Sequence, residues 1–322
     1  MKTAVETRIA AAVDVDTCDV FVIVLKPQNL LNAEVCGLKV SEWVQDVVSV
    51  YQNVCVEIKK GDDIIGIIKE NTSDKKYCVV VYSDTPLLRR DSISQALSFA
   101  ATYKHKVVQL PRGWVFETEH IQKDGDINAV TMPSLAEQDF MVAYNYAQVA
   151  TITSYMRERI NGIHMDNGVH ITDPYNVYID AKVQIGAGTR IGPGVVLRGL
   201  TEIGKACRVT NFVEIKNSKI GDNTKISHMT YIGDATVGNS CNIGCGVVVC
   251  NFDGKKKHPT KIGDNAFIGS NCNLIAPLTI GDNAFVAAGS TITQDVAPCA
   301  LALARARQAV KENWRANGDD TE

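Results

Sequence analysis

Two sets of side chains in this sequence have the types and spacing from which chemistry could be built. Arg198 and Lys216 each follow an aliphatic residue, Leu197 and Ile215, at a separation of eighteen, and Glu214 stands two places before the lysine. Stacked cations repel unless an anion lies across them, and that anion could be Glu214 or a bound phosphate. In the second set His228, Cys245, Ser270 and Ala288 each come two residues after an aliphatic: Ile226, Ile243, Ile268 and Val286. A neutral imidazole can take a proton from a reacting amine. Small uncharged residues beyond it would let an extended ligand approach the backbone. A third feature, CNFDGKKKHPTK from Cys250 to Lys261, gathers Lys255, Lys256, Lys257 and His258, a charge suited to a phosphorylated substrate. The residues alone leave open a solvated charge ladder and a solvated surface histidine.

These positions depend on a repeat of six. Ile185, Ile191, Leu197, Ile203, Val209 and Ile215 stand six apart; a five-residue step leads to Ile220, Ile226 and Ile232, and another to Val237, Ile243 and Val249. After the Cys250–Lys261 interruption the spacing resumes at Ile262 and runs to Ile292. GDN recurs at 221, 263 and 281, supplying residues that tolerate positive φ at tight corners. The spacing resembles the hexapeptide repeat of the left-handed parallel β-helix, in which three hexads make one triangular coil; a β-sandwich would alternate with a period of two. On that geometry Leu197, Ile215, Ile232 and Val249 share a face, with coils about 4.8 Å apart. Arg198 then stacks on Lys216, and Tyr231 takes the place above Glu214.

Glycine divides the chain: five of 24 precede residue 160 and eighteen lie between Gly162 and Gly289. Before residue 134 apolar runs (Val20 to Leu25, Cys78 to Tyr82) alternate with helical patterns (Ser41 to Tyr51, Ile93 to Tyr103), which predicts an α/β layer with parallel strands. Residues 134 to 160 read as one long helix, with Ser134 as N-cap and Glu137 three places on. The expected domains are 1–133, a linker helix 134–162, a β-helix 163–300 and a tail 301–322. At 322 residues and a formal charge of −3, the chain has no global basic field for nucleic acid. No run reaches the ~18 apolar residues of a membrane span, and acids interrupt the N-terminal segment where a secretion signal would be apolar, so a cytoplasmic protein is expected. Ten cysteines without CxxC read as reduced thiols, and Cys241, Cys245 and Cys250 lack the pairing of a zinc site.

From about Ile191 to Trp314, through SHMTYIGDATVGNSCNIGCG, CNFDGKKKHPT and ALARARQ, the sequence resembles the acetyltransferase half of a bacterial bifunctional family. That family joins glucosamine-1-phosphate N-acetyltransferase to N-acetylglucosamine-1-phosphate uridyltransferase. The resemblance implies acetyl-CoA as co-substrate, an amino-sugar phosphate acceptor and a homotrimer with sites between neighbouring β-helices. By position it implies His228 as general base, with Arg198, Lys216, Tyr231, Asn242 and Lys257 holding the sugar phosphate. Glu214 falls on an active-site acid, and Asn251, Ser270, Ala288 and Arg305 on acetyl-CoA contacts. Phe252 replaces the family's usual tyrosine and Cys245 its usual alanine, both beside the cofactor. An acyltransferase for another amino sugar, or a non-catalytic scaffold derived from the enzyme, are the alternatives.

The first domain resembles the uridyltransferase half in fragments only: VCGLKVSEWV from Val35 to Val44, and VVVYSDTPLL, ending at Leu88, with Asp84 where the family holds Mg2+. The glycine loop that cradles a pyrophosphate is missing, since the first glycine is Gly37. The expectation is a degenerate, shortened nucleotidyltransferase-like domain with uridyl transfer lost and Asp84 serving as a turn residue rather than a metal ligand.

Overall fold

A computed structural model describes residues 13–314 except 29, 126, 133, 134 and 313. The chain forms two compact units that divide between Arg159 and Ile160.

The first unit is built on β1 (Val20–Lys26), β2 (Glu34–Val35), β3 (Leu38–Lys39), α1 (Val40–Val48), β4 (Gln52–Glu57) and α2 (Ile64–Asn71). It continues with β5 (Tyr77–Tyr82), α3 (Arg90–Tyr103), β6 (Val107–Leu110), β7 (Gly113–Glu117), α4 (Thr118–Lys123) and β8 (Val130–Thr131). β1 and β5 are continuous apolar runs because both of their faces are covered. Val20, Val22 and Val24 pack with Val44, Val48, Ile93 and Leu97 of α1 and α3. The alternate residues Phe21, Ile23 and Leu25 pack with Ile68 of α2 and Ile121 of α4 on the other side.

The sheet order is β4-β1-β5-β7-β6-β8. β4, β1 and β5 are parallel as expected, but β7 runs antiparallel to both β5 and β6. Only Pro111 and Arg112 join β6 to β7, and so short a connection can link only antiparallel strands. Gly113 has φ 126 and lies so close to the Val80 carbonyl that no Cβ would fit. The tight link brings Arg112 across the end of β5.

The long helix also differs from the sequence expectation. Ser134 lies outside the described residues, Glu137–Phe140 is a 3-10 turn, and the helix α5 spans Tyr146–Asp166. Its true start is an N-cap eleven residues later: Asn145 Oδ1 accepts from the Gln148 N–H, and Gln148 Oε1 reaches back to the N–H of Tyr144, the residue before the cap, both at 3.0 Å. The 3-10 turn is held instead by buried Asp139, which accepts from Ser92 Oγ at 2.5 Å and from Arg89 Nε at 2.8 Å.

In the second unit the six-residue spacing closes into three stacked parallel sheets of seven, six and eight strands, a left-handed β-helix. The aliphatic of each hexad points inward; Ile191, Leu197, Ile215, Ile226 and Ile243 are fully buried. Corners are stitched coil to coil by the GDN aspartates. Asp222 Oδ1 accepts from the Lys205 N–H at 2.7 Å and Asp282 Oδ1 from the Asp264 N–H at 2.8 Å, while Asn223, Asn265 and Asn283 take φ of 55–59. The two five-residue steps are corners shortened by one residue, turned at Asn217 (φ 47) and Asp234 (φ 50). Leu301–Ala302, expected in the tail, is a last strand paired with Phe285–Val286. Cys207, Cys241 and Cys272 are buried at inner corners as small apolar fillers. Burial raises the thiol pKa of Cys207 and Cys241.

Candidate active site

The β-helix register produces both columns read from the sequence. Leu197 pairs with Ile215 and Ile215 with Ile232, which stacks Arg198 on Lys216 and Tyr231 on Glu214. On the next face Ile226, Ile243, Ile268 and Val286 pair in turn. His228, Cys245, Ser270 and Ala288 therefore follow one another, their backbones linked by Gly246 N–H to the His228 carbonyl, Asn271 N–H to that of Cys245, and Gly289 N–H to that of Ser270. A groove of about 470 Å³ runs along this column, lined by His228, Asn242, Cys245, Ser270 and Ala288, with Phe267 and Phe285 as its apolar wall. The two phenyl rings stack 4.5 Å apart with an interplanar angle of 6°. Gly244 and Gly269 floor the groove, where a Cβ would run into the backbone of the next coil. Among the described residues no side chain hydrogen-bonds the His228 imidazole, which is exposed to solvent at the groove's edge. At the far end Arg305 lies over Gly289, its Cδ 3.8 Å from where a Cβ would stand.

The cationic cluster sits on the adjoining face. Arg198 Nε is 3.7 Å from Glu214 Oε1, so the acid foreseen between the stacked cations is present and loosely engaged. The insertion folds back through an antiparallel bridge of Phe252 to Lys257. The loop is organised around Asp253. Asp253 accepts from the N–H groups of Lys255 and Lys256 at 2.8 Å, and its Oδ2 lies 2.7 Å from His258 Nε2. Those bonds, His258 first, hold the Asp253 carboxyl down at about 2. Lys257 alone leans on the column, its Nζ 3.7 Å from Asp234 Oδ2. Phe252 is 60% exposed, so the position expected to carry a hydroxyl offers only an open ring.

Sequence reasoning missed Asp234. Its carboxylate accepts from Asn251 Nδ2 at 2.5 Å, and its N–H donates to the Lys216 carbonyl at 3.0 Å. A Cβ on neighbouring Gly233 would strike both the Tyr231 hydroxyl and Asn251 Nδ2, so these side chains also converge here. The available signal was the second five-residue step, which puts a non-glycine residue at a left-handed corner. Thus Arg198, Glu214, Lys216, Tyr231, Asn251 and Lys257 gather on one face, and Asn242, Cys245, Ser270, Ala288 and Arg305 follow the groove on the other. His228 stands at the corner between them.

In the first unit Asp84 is fully buried at the end of β5. Arg112 grips both its oxygens, Nε to Oδ1 at 2.8 Å and a terminal nitrogen to Oδ2 at 2.6 Å. The guanidinium lies 4.1 Å from the centre of the Tyr82 ring. Magnesium needs several oxygen ligands in octahedral array. Here the one carboxylate is already neutralised, and among the described residues no cluster of three or more His, Cys, Asp or Glu could hold an ion. The residues do not fit a magnesium site.

Comparison with known proteins places the similarity on the repeats. Residues 259–294 match the bacterial transferase hexapeptide family (six repeats), and residues 174–256 match the GMPPB C-terminal domain. Over 122 residues the chain is 57% identical to the Bifunctional protein GlmU of Clostridium botulinum (strain ATCC 19397 / Type A), covering 38% of this chain and 27% of that one. Identity to the protein of the same name from Acetivibrio thermocellus is also 57% over 122 residues, 38% of this chain and 26% of that one. The chain thus spans about a quarter of the length of these curated relatives. Among solved structures, UDP-N-acetylglucosamine acyltransferase from Campylobacter jejuni aligns at 17% identity and TM-score 0.34, covering 43% of this chain and 68% of that one. Perosamine N-acetyltransferase from Caulobacter crescentus aligns at 14% and 0.27, covering 87% and 92%.

Proposed function

We propose that the β-helix moves an acetyl group from acetyl-CoA to the amine of glucosamine-1-phosphate, and that it does so as a homotrimer. The observation that carries this reading is the groove beside His228, whose small-residue column lies in the region 57% identical to the bifunctional proteins. In the proposed step the amine nitrogen bonds to the thioester carbonyl carbon, the carbon–sulfur bond breaks, and coenzyme A leaves as the thiol. The neutral amine attacks, the proton its nitrogen sheds as the bond forms goes to a ring nitrogen of His228, whose exposed imidazole has no competing partner within the chain among the described residues, and the imidazolium passes it to the departing sulfur to give the thiol.

Arg198, Lys216 and Lys257 hold the phosphate dianion, helped by ion pairs loose enough for a ligand to replace. Acetyl-CoA lies along Cys245, Ser270 and Ala288 with its phosphates toward Arg305, and Asn251 and Phe252 border it. One wall of such a site is present in each chain, and a neighbouring β-helix closes it; threefold cyclic symmetry satisfies that requirement. The test is an acetyl-CoA consumption assay over a panel of amino-sugar phosphates, combined with light scattering. Turnover confined to a different amino sugar would replace glucosamine-1-phosphate in this reading. No turnover with any acceptor, or a monomer at micromolar concentration, would refute it.

A further inference from the structure

Asn251 is only 6% exposed, and its side-chain nitrogen donates to Asp234 Oδ2 at 2.5 Å. An ionised carboxylate accepts hydrogen bonds and cannot donate them, so the amide has one admissible orientation: Nδ2 toward Asp234 and Oδ1 away from it. The flipped amide would set oxygen against oxygen. Asp234 is itself fixed at the shortened corner, with φ 50. Its N–H donates to the Lys216 carbonyl at 3.0 Å and its carbonyl accepts from the Thr260 N–H at 3.3 Å. Lys257 Nζ stands 3.7 Å from the same carboxylate. The missing Cβ of Gly233 makes room for the bond, since that atom would lie 2.7 Å from Asn251 Nδ2.

We propose that Asp234 is a positioning residue that locks the Asn251 amide so that its carbonyl oxygen, not its N–H, is the group presented to ligand. The ligand group at this point is therefore a hydrogen-bond donor. Among the substrates proposed above that is an N–H, either of the amides in the pantetheine arm or of the acceptor's amine. The inference rests on the reading of Asn251 as a ligand-contacting residue.

A charge swap in the full-length protein tests it. Asn251→Asp alone presses two carboxylates together and lowers kcat/KM by about tenfold or more. Asp234→Asn keeps the left-handed corner, which asparagine tolerates, and lowers kcat/KM by about threefold because the amide is no longer held one way. The double variant Asp234→Asn/Asn251→Asp restores a donor at 234 and an acceptor oxygen at 251, and should return to within about threefold of Asp234→Asn. A recovery seen in the KM for acetyl-CoA assigns the N–H to the pantetheine arm; one seen in the KM for glucosamine-1-phosphate assigns it to the amine. Calorimetric binding of each substrate supplies the same comparison for any variant too slow to assay. A double variant no better than Asn251→Asp, with Asn251→Ala impaired, overturns the role of Asp234 alone. An Asn251→Ala variant with wild-type kcat and KM overturns the site reading beneath it.

Discussion

At their candidate sites the two units use ion pairs in opposite ways. In the first, Asp84 is fully buried and its pairing with Arg112 is a bidentate fork at 2.6 and 2.8 Å. In the β-helix, Arg198 with Glu214 and Lys257 with Asp234 stand 3.7 Å apart, and every one of these side chains is in part exposed to water. A tight buried pair satisfies itself and has nothing left for a ligand. Loose pairs at a surface contribute ~0–1 kcal/mol, so a phosphate dianion can displace the acid without a large penalty. The proposed function therefore draws on unspent charge, which the β-helix cluster keeps and the strand end of the first unit does not.

The comparison is broken most severely by removing one partner of the buried pair. Arg112→Met would leave Asp84 buried without its cation and should destabilise the first unit by about 3–5 kcal/mol, measured by urea denaturation of the full chain. A loss below about 1 kcal/mol would place this pair with the loose surface pairs and erase the contrast. His228→Ala comes next. Acetyl transfer to glucosamine-1-phosphate should fall by roughly 10²-fold or more while acetyl-CoA binding stays close to wild type, since a general base acts in the transition state. Wild-type turnover would remove the proposed chemistry. Lys216→Ala should have a smaller effect, raising the KM for the sugar phosphate about tenfold with little change in kcat, and less so at high salt. An equal fall in kcat and kcat/KM would show that the lysine acts on the transition state and not as a phosphate anchor.

The β-helix was legible because its inward positions repeat: once Ile226, Ile243 and Ile268 are known to stack, the places of His228, Cys245 and Ser270 follow by counting. Asp234 was not legible in the same way. The seventeen-residue step that stacks Tyr231 on Glu214 also stacks Asn251 on Asp234, but the bond that joins their side chains depends on the left-handed turn at 234 and the absent Cβ at 233. The first unit shows the same limit. The strands β1 and β5 and the helices α1 and α3 were readable as apolar patterns, whereas the antiparallel β7 followed from a two-residue link between strands not read in advance. Asn145 capped the long helix in place of the expected Ser134 because the 3-10 turn between them is recruited by Asp139 to Arg89 and Ser92. A short backbone connection decided the first of these outcomes, and side-chain bonds of long sequence separation the second.

The smallest expected effect is that of magnesium on the first unit. A transferring uridyl group needs metal and a backbone cradle to neutralise triphosphate charge, because phosphoryl chemistry depends almost wholly on electrostatic positioning. At the end of β5 the counter-charge to Asp84 is already supplied by Arg112, covalently part of the chain and about 4.1 Å from the Tyr82 ring. An ion would have to displace a bidentate guanidinium to reach the carboxylate, and the described residues offer no cluster of acids to complete its shell. Millimolar magnesium should then stabilise the protein by ~0.1 kcal/mol or less, within the error of a thermal melt. UTP and N-acetylglucosamine-1-phosphate should give no UDP-N-acetylglucosamine in its presence. The contrast between the units would collapse if pyrophosphate release required both substrates and disappeared in Asp84→Ala. It would be sharpened if Arg112→Met, assayed below its unfolding transition, acquired a magnesium-dependent rise in melting temperature that the wild type lacks, since the Asp84 carboxylate would then be accepting the ion that the arginine excludes.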